Sequence, residues 1–145
     1  MSARSGRSGE DELLRRLRGR LGPSSLIGDD AAILSPSGPL AVTVDSQIEG
    51  VHFVPDLDPA QVARRLLAVN LSDLAAMGAD PAWAFLALSA PPGFDHDRFF
   101  RAFTEACRRH GVTLAGGDLS RCDRLVATLT LIGTKPAGRR WLRRD

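Results

Sequence analysis

The segment that most constrains this chain is 59–77, PAQVARRLLAVNLSDLAAM, its longest stretch with helical apolar periodicity. Its ends are marked. Asp58 is a plausible N-cap, Pro59 fits the first helical position, Gly78 can stop the helix, and Pro81 blocks continuation. Leu, Val and Ala recur on nearly every side, so the helix is expected to be buried all round. Asn70 and Asp73 stand out in it. They lie three residues apart, a spacing that puts them on one face. A buried, unpaired carboxylate costs several kcal/mol or takes up a proton, so Asp73 calls for an arginine, backbone N–H groups or a metal ion.

Around this helix the sequence alternates between helix and strand signals. Residues 1–9 are rich in Ser, Gly and Arg and read as a disordered tail. Glu10–Leu21 reads as a short amphipathic helix, with Leu13, Leu17 and Leu21 four apart. Ile27–Leu34 reads as a loop running into a strand, Leu40–Asp45 as a strand, and Val51–Val54 as a short extended piece. Trp83–Ser89 is a strand broken by Pro91-Pro92-Gly93, and Asp95–His110 a helix with Phe99, Phe103, Ala106 and Cys107 on its apolar side. Val112–Ala115 is a short strand leading into a Gly116-Gly117-Asp118 loop, and Leu125–Ile132 is the last strand. The expected class is α+β, a mixed sheet with helices packed on one face. The other face is then bare, and a homodimer through the sheet would cover it. The expected domain spans 10–138, with 139–145 the start of a linker.

The 145 residues are 43% hydrophobic and 25% charged, which fits one globular domain. No apolar run approaches bilayer length, and the polar N-terminus lacks the apolar stretch of a secretory signal, so a cytoplasmic protein without membrane contact is expected. Cys107 and Cys122 have no metal-ligand spacing and read as reduced structural thiols. Arginines crowd both ends, but no aromatic residues interleave with them, so solvated faces are favoured over nucleic acid.

The remaining aspartates carry the chemistry. Asp45 follows the apolar strand LAVTV, Asp29-Asp30 follow Gly28, and Asp118 follows Gly116-Gly117. Glycines beside carboxylates let backbone approach a ligand, with N–H groups free for phosphate. Carboxylates without clustered His or Cys suit a hard, oxygen-ligated cation such as Mg²⁺. His52, in GVHF, is either a satisfied structural histidine or a contact for a substrate phosphate. There is no GxxxxGK[ST] or GxGxxG, and no arrangement suited to covalent catalysis, so no catalytic nucleophile is expected.

In order and approximate spacing, Ile27-Gly28-Asp29-Asp30-Ala31-Ala32, Thr43-Val44-Asp45, Glu49-Gly50-Val51-His52-Phe53, Ala68–Ala79 (AVNLSDLAAMGA) and Gly116-Gly117-Asp118 resemble the thiamine-monophosphate kinase family. The likeness covers about residues 26–134. It implies the N-terminal ATP-binding domain of the aminoimidazole ribonucleotide synthetase-like superfamily, whose sheets pair across a dimer. It also implies γ-phosphoryl transfer from ATP to thiamine monophosphate, with Mg²⁺ bridging aspartates and phosphates. Carried onto this chain, Asp29, Thr43, Val44 (through its backbone), Asp45, Asp73 and Asp118 match magnesium-binding positions. Gly117 and Asp118 match the ATP-contacting loop, together with Arg143 or Arg144, and His52 matches a substrate-contacting position.

The sequence departs from the family in two places. Leu119-Ser120-Arg121 follows Asp118 where the family has threonine next, and the family is longer, with a C-terminal domain that adds nucleotide and thiamine contacts. The alternatives are a sister-family ATP-dependent synthetase, or a non-catalytic, dimerising nucleotide-binding remnant.

Overall fold

A computed structural model describes residues 4–23 and 25–142. In chain order the elements are α1 (Arg4–Leu21), β1 (Leu40–Ile48), α2 (Pro59–Ala76), β2 (Asp80–Ala90), α3 (His96–Arg109), β3 (Thr113–Arg121) and β4 (Val126–Thr134). The strands form one mixed sheet in the order β1-β4-β2-β3. β4 is antiparallel to both of its neighbours, and β2–β3 is parallel. α2 links β1 to β2 and α3 links β2 to β3, and the Cys122–Leu125 link crosses the end of β2, with Cys122 N–H donating to Ala90 O.

Local chemistry sets the helix ends. Asp58 accepts from Ala60 N–H at 2.8 Å with Pro59 in the first turn, and Asp95 accepts from Arg98 N–H at 2.9 Å. At the C-terminus of α2, Gly78 takes φ +70° and Ala79 N–H reaches back to Leu74 O. Gly111 does the same for α3, with Val112 N–H on Cys107 O.

The core lies between the sheet and the helices. Val62, Ala63, Leu66, Leu67 and Leu74 of α2 and Phe99 and Phe103 of α3 are buried against Ala84, Leu86 and Leu88 of β2 and Ala127, Leu129 and Leu131 of β4. Leu13 and Leu17 of α1 join this cluster. The opposite face is bare, as the alternation of β4 requires: its odd positions are buried and its even positions are not. Val42 and Val44 on that face are each 58% exposed.

Several expectations need correction. α1 begins at Arg4, so residues 4–9 of the expected tail belong to the helix, which propagates at one hydrogen bond per added residue. Ile27–Leu34 is no strand: an isolated bridge joins Ile27 to Asp29, and Gly28 turns the chain with φ +138°. Val51–Val54 lies in and beside a tight turn, closed by Gly50 N–H on Phe53 O, rather than in an extended piece. β3 continues through Gly116-Gly117-Asp118 after an irregularity at Ala115, because its ladder to β2 runs on to Arg121. α2 is not buried all round either: Arg64, Arg65, Ala68, Ser72, Asp73, Ala75 and Ala76 form an exposed side.

Candidate functional site

On β1 the alternation turns Ala41, Thr43, Asp45 and Gln47 toward the helix layer, since they pair with Gly133, Leu131, Leu129 and Ala127 of β4, all buried. α2 then crosses this edge of the sheet. Thr43 Oγ1 donates to Asp73 Oδ2 at 2.8 Å, joining two expected metal residues thirty positions apart in sequence. Asp45 lies on the same face of β1, half-buried, and Val44 points to the bare face. Asp73 is exposed, so the cost of a buried carboxylate does not arise. The residue that does need an explanation is Asn70, wholly buried one turn earlier. Its Nδ2 donates to Leu66 O at 2.9 Å, but its Oδ1 has no partner, and the same holds for Oε1 of buried Gln47.

His52 lies just beyond β1. Its Nδ1 accepts from Ile48 N–H at 3.1 Å, and its ring is exposed. A neutral imidazole accepting at Nδ1 carries its proton on Nε2, so the free edge of His52 is a hydrogen-bond donor. Glu49 is committed to structure, since its Oε2 accepts from Leu125 N–H at 3.0 Å.

Gly117 and Asp118 lie on β3, at the far edge of the sheet. Gly117 pairs with Leu86 so closely that a Cβ on it would lie 1.9 Å from Leu86 O. Asp118 follows on the bare-face side, accepting from Ser120 Oγ at 2.7 Å. A cavity of about 110 Å³ between α1 and β3 is lined by Ile27, Gly116, Gly117 and Asp118, among others, which carries the Asp29 segment to this edge. Arg18 holds that segment through Nε on Ile27 O at 2.9 Å, with its guanidinium over Gly28. A wider cleft of about 870 Å³ shares Leu114 with the cavity and is lined by Arg20, Arg101, Arg108, Thr104, Thr113 and Trp83, with others. Arg20 is paired with Asp97 at 2.8 Å; Arg101 and Arg108 have no carboxylate partner among the described residues. The sequence reading missed these two arginines. Their separation by seven residues on a helix, two turns apart on one face, was the available signal.

The six expected metal residues therefore fall into two groups. Thr43, Val44, Asp45 and Asp73 lie at the β1 edge, and Asp29 and Asp118 toward the β3 edge, three strand spacings or about 14 Å away. Among the described residues no three His, Cys, Asp or Glu side chains converge on a metal position. The donor chemistry of the β1 group nevertheless fits Mg²⁺: carboxylates, a hydroxyl and orphaned amide oxygens, with no soft ligand. Arg143 and Arg144 lie outside the described residues. The chain just before them is anchored, with Leu142 N–H on Met77 O at 3.0 Å and Trp141 against the core.

Comparison with known proteins decides the family. Residues 28–134 match the family described as AIR synthase related protein, N-terminal domain. The chain belongs to this family. Among curated proteins, the chain is 43% identical over 142 residues to a thiamine-monophosphate kinase of Salmonella typhimurium and 42% identical over 140 residues to that of Escherichia coli K12. Each alignment covers 90% of this chain and 43% of the relative, so the chain spans less than half the length of these enzymes. Among solved structures, a thiamine-monophosphate kinase from Stenotrophomonas maltophilia K279a matches with TM-score 0.77 and 40% identity, over 92% of this chain and 44% of that one. The structure of AaThiL complexed with AMPPCP and TMP matches with TM-score 0.64 and 31% identity, over 86% of this chain and 41% of that one. No described helix of this AIR synthase-related domain is long and apolar enough to cross a membrane.

Proposed function

We propose that this chain is the Mg²⁺–ATP-binding N-terminal part of a thiamine-monophosphate kinase, and that the protein it belongs to transfers the γ-phosphoryl of ATP to thiamine monophosphate. The observation that carries the reading is the Thr43–Asp73 hydrogen bond, which unites two positions singled out by the family likeness. Thr43, Asp45 and Asp73, with the Val44 backbone, would hold Mg²⁺ at the β1 edge, and Asp29 and Asp118 at the β3 edge. Bound Mg²⁺ would neutralise charge on the transferring phosphoryl group. The cleft that shares Leu114 with the Gly117–Asp118 cavity, with Arg101 and Arg108 lacking a carboxylate partner among the described residues and with the flat side chain of Trp83, suits the nucleotide. His52, as an Nε2–H donor, can bind and orient a substrate phosphate, while its Nδ1 is occupied by Ile48 N–H. The chain's own groups thus position and shield charge, and no protein nucleophile is needed.

We also infer a homodimer through the sheet. The exposed Val42 and Val44 support it, and a second copy gives the divided carboxylates a further way to meet. A cytoplasmic location fits two free cysteines.

Calorimetric titration of the full chain with ATP, with and without Mg²⁺, tests the reading. Mg²⁺-dependent binding that Asp73→Asn abolishes is the expected result. ATP binding indifferent to both Mg²⁺ and this substitution would overturn it.

A further inference from the structure

Asn70 is the one α2 side chain that contradicts its surroundings. The neighbouring inward positions are Val62, Ala63, Leu66, Leu67 and Leu74, and a leucine at position 70 would continue that surface. Instead a fully buried amide stands there. Its single hydrogen bond goes to Leu66 O of its own helix, a carbonyl the helical ladder already uses, so the bond adds little that the helix lacks. Oδ1 is left without a donor among the described residues. Buried acceptors without partners are rare enough that each calls for a reason.

The position of Asn70 supplies one. α2 runs back along β1: Leu74 lies against Gly133, which pairs with Ala41, and Asp73 is bonded to Thr43. One helical turn toward the N-terminus covers about 5.4 Å, and two strand residues cover about 6.6 Å. Asn70 is therefore level with the stretch from Thr43 to Asp45, on the inner side of Asp73. Because Nδ2 is turned toward Leu66 O, Oδ1 is turned away from it, and Gln47 leaves a second orphaned oxygen, Oε1, farther along the same face of β1. A carbonyl oxygen can only accept, so its missing partner is a donor or a cation. Hydrated Mg²⁺ offers both, since it keeps several waters that donate strongly.

We infer that Asn70 is a positioning residue for the cation of the Thr43–Asp73 site, its Oδ1 accepting from a water on the bound ion. The inference rests on the Mg²⁺–ATP reading above. Such outer partners of metal sites typically change affinity by about tenfold or more. They are also kept at the expense of the metal-free fold, because the orphaned acceptor is satisfied only when the ion is present.

Asn70→Leu tests both halves, with urea melts in EDTA and in Mg²⁺ and calorimetry of Mg²⁺–ATP on the full chain, beside wild type and Asp73→Asn. The expected variant is as stable as wild type or more so in EDTA, gains less from Mg²⁺, and binds Mg²⁺–ATP about tenfold more weakly. Wild-type affinity in Asn70→Leu, or a variant destabilised in EDTA or unable to fold, would overturn the inference and leave Asn70 a structural residue. If wild type and Asp73→Asn differ as expected while Asn70→Leu follows wild type, this inference alone fails. If wild type itself shows no Mg²⁺ dependence, the Mg²⁺–ATP reading fails with it.

Discussion

The two edges of the sheet carry parts of one expected site but are built by different means. At the β1 edge, side chains do the work: a hydroxyl, two carboxylates and orphaned amide oxygens are set by the alternation of β1 and the path of α2. At the β3 edge, backbone does it: Gly117 lets two strands lie where no side chain fits, and Asp118 follows from that strand. A site made of side chains on a rigid scaffold can lose a member without losing the fold. A site made by backbone proximity cannot.

Substitution separates the two. Gly117 has φ +153° and its Cβ would meet Leu86 O at 1.9 Å, a rigid backbone atom. Strain at that φ and overpacking together predict a loss of about 3–5 kcal/mol for Gly117→Ala, or failure to fold. Thr43→Val, which removes only a solvent-accessible hydrogen bond, is expected to cost about 1 kcal/mol or less. Urea denaturation of both variants measures the contrast, and comparable losses would erase the distinction between the edges.

The same difference explains what was legible in the sequence. The limits of α2 and the end of α3 were, because Asp58, Pro59, Gly78 and Gly111 act locally, whereas the start of α1 was not. The class of the sheet followed from β-branched alternation, and the carboxylates from their residue types. The burial of α2 was misjudged because Ala68, Ala75 and Ala76 count as apolar yet sit on its exposed side, so the periodicity of the helix was hidden. Gly116-Gly117-Asp118 read as a loop because glycine weakens strands locally, whereas the ladder to β2 overrides that preference. The strand order, and with it the division of the carboxylates between two edges, depends on pairing between distant segments that no local pattern encodes. The spacing of Arg101 and Arg108 was legible, but the cleft they line with α1 and β3 was not.

Between the edges, α2 and α3 are joined by Asp58, which caps α2 and binds Arg98 of α3 through two hydrogen bonds of 2.7 and 2.6 Å. The Arg98 guanidinium, then the Ala60 N–H, hold its carboxyl down from the usual 3.8 to about 2. A carboxylate depressed in the folded state contributes stability that is complete above its unfolded pKa and is lost as pH falls toward the folded one. The window is therefore about pH 4 down to 2. Asp58→Asn keeps a capping oxygen and removes only the ion pair. Its urea midpoint should lie below that of wild type at pH 5 and meet it near pH 2. A gap that persists unchanged at pH 2 would assign the effect to the cap rather than to the clasp between the helices.

The smallest expected effect concerns the packing of the β3 side alone. Cys107 is buried on α3, and desolvation pushes its thiol up to about 12, so almost no thiolate exists near neutral pH. Cys122 is exposed on the link between β3 and β4. A disulfide reagent at pH 8 should modify one thiol quickly in the native chain and both in denaturant, while Cys122→Ser leaves the urea midpoint within about 0.5 kcal/mol of wild type and abolishes the fast phase. Cys107 also lines the arginine-bearing cleft. Equal native rates for the two thiols would therefore mean that α3 opens from the sheet at the cleft proposed for the nucleotide, and the β3 edge could not then be the rigid half of the site.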